Sequence, residues 1–386
     1  MASTREPPRV DTVRKAVPVR DHAFGRGPEY TVGIEEELML VDARSLALSP
    51  GVERVLRALD DEHIKPELMQ CQIEVASSPW KRVDDALDDL RRLRARVIHV
   101  ADLLELRVVA AGTHPFSPSE SQVFTARDRY RELMAELRYP VRREVCFGMH
   151  VHVAVGGADK ATRIIEALLV DLPLLLALST SSPFWRGEAT GLRSTRTIVF
   201  QSLPRSGLPP AFAGYEEYAR GVEILQRARA LQDHSHLWWD VRLHPRFGTV
   251  ELRCLDVQPR VRDTWAIAGL VQSLVRHYGR RYDRGERFPD ADRFVVAENR
   301  WLAARLGLNA SFVDARNDGA IRARAALAEL LDRVEDDAAA VGATAALERI
   351  ATISRDGTSA DRQLMQARHG SSLHEIMLTL AAETRE

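Results

Sequence analysis

Cysteine is scarce in this sequence: Cys71, Cys146 and Cys254 are the only three in 386 residues, and none is close to another along the chain. A disulfide framework or a cysteine-based zinc site needs more thiols at tighter spacing, so a reducing cytoplasm is the expected compartment. Long apolar runs are missing as well. The most apolar stretch, 164–178, is interrupted by Glu166, Asp171 and Pro173, too short and too broken for the roughly 20 residues a bilayer demands; it reads as a buried helix, and no membrane partner is expected. Neither charge sign is in surplus. Fifty-four Lys and Arg meet 55 Asp and Glu, which leaves no whole-molecule field for nucleic acid or anionic lipid. Any anion must be met locally.

What is there is globular: 45% hydrophobic and 28% charged residues exclude a disordered chain. Residues 1–28 carry Arg5, Arg9, Arg14, Lys15 and Arg20 among Pro7, Pro8 and Pro18, with no apolar segment of a secretory signal, and read as a flexible tail. Residues 29–386 are expected to form a single catalytic domain without internal repeats. Period-two patterning predicts strands over 30–42, 67–76, 107–112, 145–155, 238–244 and 248–257. Helical patterning covers 80–105, 127–138, 160–179, 215–231, 263–280, 291–306, 318–341 and 361–382. The strands do not alternate with helices at βαβ spacing, and 238–257 reads as a hairpin around His244-Pro245-Arg246-Phe247-Gly248. The fold class is therefore α+β, an antiparallel sheet flanked by helices.

Side chains alternate across a strand, and here one face is chemically unusual. Over 145–155 the odd positions are Val145, Phe147, Met149, Val151, Val153 and Val155, and the even ones Gly148, His150, His152 and Ala154. Over 31–41, Val32, Ile34, Leu38 and Leu40 oppose Glu35 and Glu37, while Glu36 breaks the pattern and requires a partner or a bulge. Gln70, Gln72 and Glu74 follow Glu67 on the next strand, and the hairpin adds Asp240, Arg242, His244, Thr249, Glu251 and Arg253. A solvated face is ordinarily mixed Thr, Ser and Lys. Glutamates repeated at i, i+2 repel one another and raise each other's pKa unless a cation sits between them. Oxygen ligands with an occasional imidazole suit Mg²⁺ or Mn²⁺, which keep positions open for phosphates. Two His-x-His pairs, His150-Val151-His152 and His234-Ser235-His236, offer a zinc hydrolase as the competing reading.

Gly33-Ile34-Glu35-Glu36-Glu37-Leu38, Gln72-Ile73-Glu74-Val75, Ala111-Gly112-Thr113-His114-Pro115, Gly148-Met149-His150-Val151-His152-Val153, Ser182-Pro183-Phe184-Trp185, Trp239-Asp240-Val241-Arg242, Thr249-Val250-Glu251-Leu252-Arg253 and Glu298-Asn299-Arg300-Trp301 occur in an order that resembles the carboxylate-amine ligase branch of the type 2 glutamate-cysteine ligases, over about residues 30–370. The resemblance implies a catalytic domain like that of glutamine synthetase: a curved antiparallel sheet forming a funnel for ATP, Mg²⁺ ions and an amino acid. It implies a reaction in which a carboxylate takes the γ-phosphoryl group and an amine displaces phosphate from the acyl phosphate. It also implies roles. Glu35, Glu37, Glu67, Glu74 and Glu251 would hold metal; His150 would ligate metal or bond a phosphoryl oxygen, with His152 nearby; Arg253 would hold the transferred group or a substrate carboxylate; Arg196 would bind an anion. Ala189 and Arg193 depart from the family pattern in the segment expected near the acceptor.

An ATP- and Mg²⁺-dependent ligase joining glutamate to cysteine, both small molecules, is thus the leading expectation, and family resemblance suggests a homodimer. A zinc-dependent amide hydrolase and a non-catalytic nucleotide-binding sensor are its rivals.

Overall fold

The computed structural model describes residues 19–288, 291–315 and 317–386; the first eighteen residues of the expected tail lie outside them. Seven strands, β1 (Val32–Asp42), β2 (Ile64–Pro66), β3 (Gln72–Ala76), β4 (Leu106–Val109), β5 (Gly148–Ala154), β6 (Val241–His244) and β7 (Thr249–Asp256), form one sheet. Its order is β6-β7-β5-β1-β3-β2, with every ladder antiparallel. Strand β1 is the centre. Glu35 lies opposite both His150 and Ala76, so β5 and β3 flank it; further along, Met39 lies opposite Val109 as β4 takes over the edge that β5 leaves.

One face of the sheet is closed by three long helices, α1 (Val83–Leu103), α2 (Ala158–Ser179) and α3 (Val261–Asp283). In α1 the buried positions Val83, Ala86, Leu90, Leu93 and Val97 fall at intervals of three and four, the stripe a surface helix turns inward. Helix α2 is buried nearly all round, which explains its almost unbroken apolar sequence. Val32, Ile34, Leu38, Leu40, Met149, Val151, Val153 and Leu252 send side chains with no measurable exposure into this layer.

Glu36 points the same way, and it has a partner. Arg94 of α1 donates from Nε and Nη2 to its two oxygens, both at 2.7 Å, and Thr264 of α3 adds a third bond at 2.6 Å. The remaining guanidinium protons reach the carbonyls of Gln258 and Pro259 at 2.8 and 2.7 Å. A buried charge is tolerable only when so fully satisfied.

Several sequence boundaries move. The helix expected over 318–341 starts at Ala323, because Gly319–Arg322 pairs with Ser311–Asp314 as a hairpin. The one expected over 361–382 is two, Ser359–Arg368 and Leu373–Thr384, separated at Gly370 (φ +91°) and restarted by a Ser372–Glu375 capping box. Thr344–Asp356 is a helix with no counterpart in the sequence reading. Residues 19–28, expected to be free, are docked. Val19 and Phe24 are buried, Arg20 pairs with Glu216 and Glu223, and Ala23 N donates to Pro245 O at 2.8 Å.

Arg94→Ala strands the Glu36 carboxylate in the core and should cost roughly 3–5 kcal/mol, read from denaturant midpoints. Glu36→Leu combined with Arg94→Met should recover most of that loss. A double variant no more stable than Arg94→Ala would show that the ion pair is not the reason for the cost.

Candidate active site

The opposite face of the sheet gathers the polar residues by register alone. Across β6, β7, β5 and β1, Arg242 lies opposite Glu251, Glu251 opposite His152, and His152 opposite Gly33; one step along, His150 faces Glu35, and Glu37 faces Glu74 across β1 and β3. Two groups result, and they differ in what neutralises them.

In the first, one ligand atom each from Glu35, His152 and Glu251 lies within 4.8 Å of the others. His152 Nδ1 is engaged by Thr249 Oγ1 at 3.0 Å, which turns Nε2 toward Glu35 and Glu251, 3.6 and 3.8 Å away. That buried nitrogen has no hydrogen bond. A ring nitrogen aimed between two carboxylates is placed as a metal ligand would be, or must itself be protonated. Burial works against its charge, yet the two carboxylates prevail and hold His152 above its ordinary value. His150 Nδ1 meets Glu35 Oε2 at 3.2 Å; burial, helped by the Arg253 charge, lowers it. Burial likewise pushes the Glu35 and Glu251 carboxyls up. His152 and His150 outweigh that at Glu35, and Arg242, Arg253 and His152 at Glu251, so both are held well below the carboxylate range.

The second group is Glu37, Glu67 and Glu74. Lys65 Nζ, 3.6 Å from Glu74 and half exposed, supplies its one ion pair among the described residues. Burial and the Glu37 charge push Glu67 up to about 7; burial with Glu35 and Glu67 pushes Glu74 well above its ordinary value. Glu37 accepts from Gly148 N, which orients its oxygens. Three carboxylates at least partly buried, with one half-exposed lysine among them, are hard oxygen donors suited to Mg²⁺ or Mn²⁺. The donor chemistry of both groups suits a divalent cation, and in the first the ligand atoms also converge.

Beside them stand the arginines. Arg242 forks onto Glu251 and is anchored by the carbonyls of Ser235 and Leu237 at 3.0 Å each. Arg253 donates to Glu251 through Nη1 and leaves a buried, unbonded Nε. Arg196, from the helix Thr195–Phe200, crosses β5 at Gly148, where a Cβ would stand 2.2 Å from its Nη2. It donates to Arg253 O at 3.3 Å, and its Nε is also buried and unbonded. A cavity between them is lined by Arg196, Trp238, Trp239, Asp240, Arg253 and Arg300. Arg300 is occupied by Asp240, so the unpaired donors belong to Arg196 and Arg253.

All nine residues singled out in the sequence converge on this face. The second His-x-His pair does not join them as a ligand: His234 and His236 sit in a short 3-10 turn packed on His244 and Trp238. Cys254 does not lie opposite Arg253 as strand alternation predicts, because a bulge between Leu252 and Leu255 brings both to the same cavity. Burial raises all three thiols, Cys71 to about 12, so none supplies a thiolate. Two buried acids escaped the sequence reading. Asp256 lies beyond the bulge and holds Ser181 N, Ser182 Oγ and Ser194 Oγ, fixing the loop that delivers Arg196. Glu144 precedes β5, and burial pushes it up to about 8. Neither carries a pattern that alternation would reveal.

An antiparallel face that sets glutamates and histidines beside the unbonded guanidinium nitrogens of Arg196 and Arg253 is suited to the chemistry of an ATP-dependent carbon–nitrogen ligase. Residues 31–378 match glutamate-cysteine ligase family 2, and the chain belongs to that family. It is 42% identical over 365 residues to a Rubrobacter xylanophilus protein named "Putative glutamate--cysteine ligase 2-3", covering 94% of this chain and 99% of that one. The fold resembles the glutamate–cysteine ligase of Francisella tularensis solved in complex with AMP, at TM-score 0.69 and 14% identity over 92% of this chain and 89% of the other. It also resembles a bifunctional glutathione synthetase of Pasteurella multocida, at TM-score 0.68 and 17% identity, where 92% of this chain corresponds to 52% of the larger protein. Among the described residues no helix is long and apolar enough to cross a membrane.

The raised Glu67 carboxyl gives a pH signature in chelator. Its folded value, about 7, exceeds the ordinary 4.5, so its contribution is fully present below the unfolded value and is lost as pH rises through about 7. Melting temperature should fall over that window, and Glu67→Gln should flatten the fall. Mn²⁺ at about 100 times its Kd should restore about 2.7 kcal/mol to the wild type at pH 8 and much less to the variant. An unchanged pH slope in Glu67→Gln would remove this carboxylate from the cluster.

Proposed function

We propose that this chain joins the side-chain carboxylate of glutamate to the amine of cysteine, using ATP and Mg²⁺. The observation that carries the reading is the adjacency of a converging Glu35–His152–Glu251 group and the Glu37, Glu67 and Glu74 carboxylates to a cavity with two buried, unbonded guanidinium nitrogens. Glu35, His152 and Glu251 would hold one cation and Glu37, Glu67 and Glu74 another. When bound, these cations neutralise phosphate oxygens and draw charge from the transferring phosphoryl group.

The protein's own side chains account for the rest. A donor carboxylate oxygen attacks the γ-phosphorus; the bond to the bridging oxygen breaks and ADP leaves. Arg253 faces the developing negative charge while Glu251 fixes its orientation, an arrangement of donors set before the reaction begins. The acceptor nitrogen then attacks the acyl carbon, phosphate departs with the bonding pair, and the nitrogen loses a proton. Arg196 supplies a second fixed cation for a substrate carboxylate, bound through its fork of donors. Burial of His150, His152 and Glu251 limits the water beside them, which would otherwise hydrolyse the acyl phosphate. Arg193 pairs with Asp361 at 3.0 Å and Ala189 is exposed, so these two family departures leave the carboxylate groups untouched.

ADP release measured with Mg²⁺ over a panel of amino-acid donors and amine acceptors tests the reaction and its substrates together. Turnover should need both substrates and a divalent cation, and Glu35→Gln and Glu37→Gln should abolish it in folded protein. Undiminished release by either variant or in excess chelator would sink the metal assignment; amide hydrolysis without ATP would favour a hydrolase, and ATP binding without ADP release a sensor.

Arg253→Lys keeps the charge beside Glu251 and loses the planar fork. The expected result is a kcat lower by roughly 10² to 10³ with a melting temperature near wild type. Near-normal turnover would leave Arg253 only its ion-pair role.

A further inference from the structure

The first metal group is the inner end of a stack of rings that reaches the surface. His152 lies 5.4 Å from His244 and 5.7 Å from Phe247, centroid to centroid. His244 and Phe247 are stacked at 4.2 Å and 11°, and His234 meets the edge of His244 at 5.3 Å and 88°. In the turn between β6 and β7, His244, Pro245 and Gly248 are buried, while Arg246 and Phe247 are exposed, Phe247 by 52%.

Scattered exposed aromatics are ordinary, but this one is held. Phe247 N and Gly248 N both donate to His244 O, at 3.2 and 2.9 Å, and Ala23 N donates to Pro245 O at 2.8 Å. Gly248 has φ +67°, and a Cβ there would stand 2.5 Å from Ala23 O. The chain around Ala23 therefore packs against the back of the turn at Pro245 and Gly248. One ring face is covered by His244, the residue is half exposed, and the exposed Arg246 guanidinium lies over the ring 5.8 Å from its centroid.

We propose that the outer face of Phe247, flanked by Arg246, is the platform on which the nucleobase of ATP stacks, with the phosphates running inward past His152 to the carboxylate groups. The proposal rests on the ATP-dependent reading above and adds where the base is held. Aromatic faces bind bases through their π-systems, and an adjacent guanidinium strengthens the contact.

Calorimetric binding of ADP and of inorganic tripolyphosphate to the full chain in Mg²⁺ separates the base from the phosphates. Phe247→Ala should weaken ADP about tenfold or more, Phe247→Trp should retain it, and tripolyphosphate should bind all three proteins alike. Wild-type ADP affinity in Phe247→Ala, or an equal loss for both ligands, overturns the platform. Failure of the wild type to bind either ligand or to release ADP instead overturns the ATP reading on which it rests.

Discussion

Three consecutive glutamates on the central strand set the terms for the rest of the structure. Alternation sends Glu35 and Glu37 to one face and Glu36 to the other, so a single strand demands compensation on both sides of the sheet at once. On the core side, Arg94 and Thr264 supply it from two different helices. This ties α1, α3 and β1 together at a point where apolar packing alone would be degenerate. A one-residue slip of β1 would bury two carboxylates in the helix layer and expose the arginine's partner. The register that assembles the catalytic face is therefore the one the core can accept.

On the open face compensation is uneven, and the unevenness is chemical. Glu251 is the most heavily compensated acid, held by Arg242 and Arg253 with His152 beside it. Glu67 and Glu74 have almost nothing, and so hold their protons to higher pH than free carboxyls do, Glu67 to about 7. Like carboxylates in one buried site cannot all ionise. The sheet thus presents one half that is already charged and balanced, and one half whose charge depends on what it binds.

Much of this was legible in the sequence because a strand's period is rigid. Glu35 and Glu37, His150 and His152, and Glu251 and Arg253 were paired on one face by counting in twos, and the demand of Glu36 for a partner followed from the same count. What period two cannot give is anything that breaks it. The bulge after Leu252 brings Cys254 beside Arg253 and sets Asp256 to hold the loop that delivers Arg196. The metal roles of individual glutamates came from family resemblance rather than from spacing. Docking of residues 19–28 was hidden because Val19 and Phe24 are isolated apolar residues among charges, and their partners lie more than a hundred residues away in Pro245 and Tyr215.

On the proposed reading, the split between the two halves also orders how the site would fill. A cation entering beside Glu35, His152 and Glu251 meets carboxylates already ionised, and displaces at most the proton on His152. A cation entering beside Glu37, Glu67 and Glu74 must first expel the protons that burial and mutual repulsion hold on Glu67 and Glu74. Metal binding that releases protons is weakened by acid, so the second half is the more pH-sensitive of the two. Bound nucleotide alters this balance little at the first half, where arginines already meet its charge. At the second half, where among the described residues no arginine forms an ion pair with the acids, phosphate oxygens and carboxylates would repel until a cation lay between them, so on the proposed reading nucleotide and cation would arrive there together.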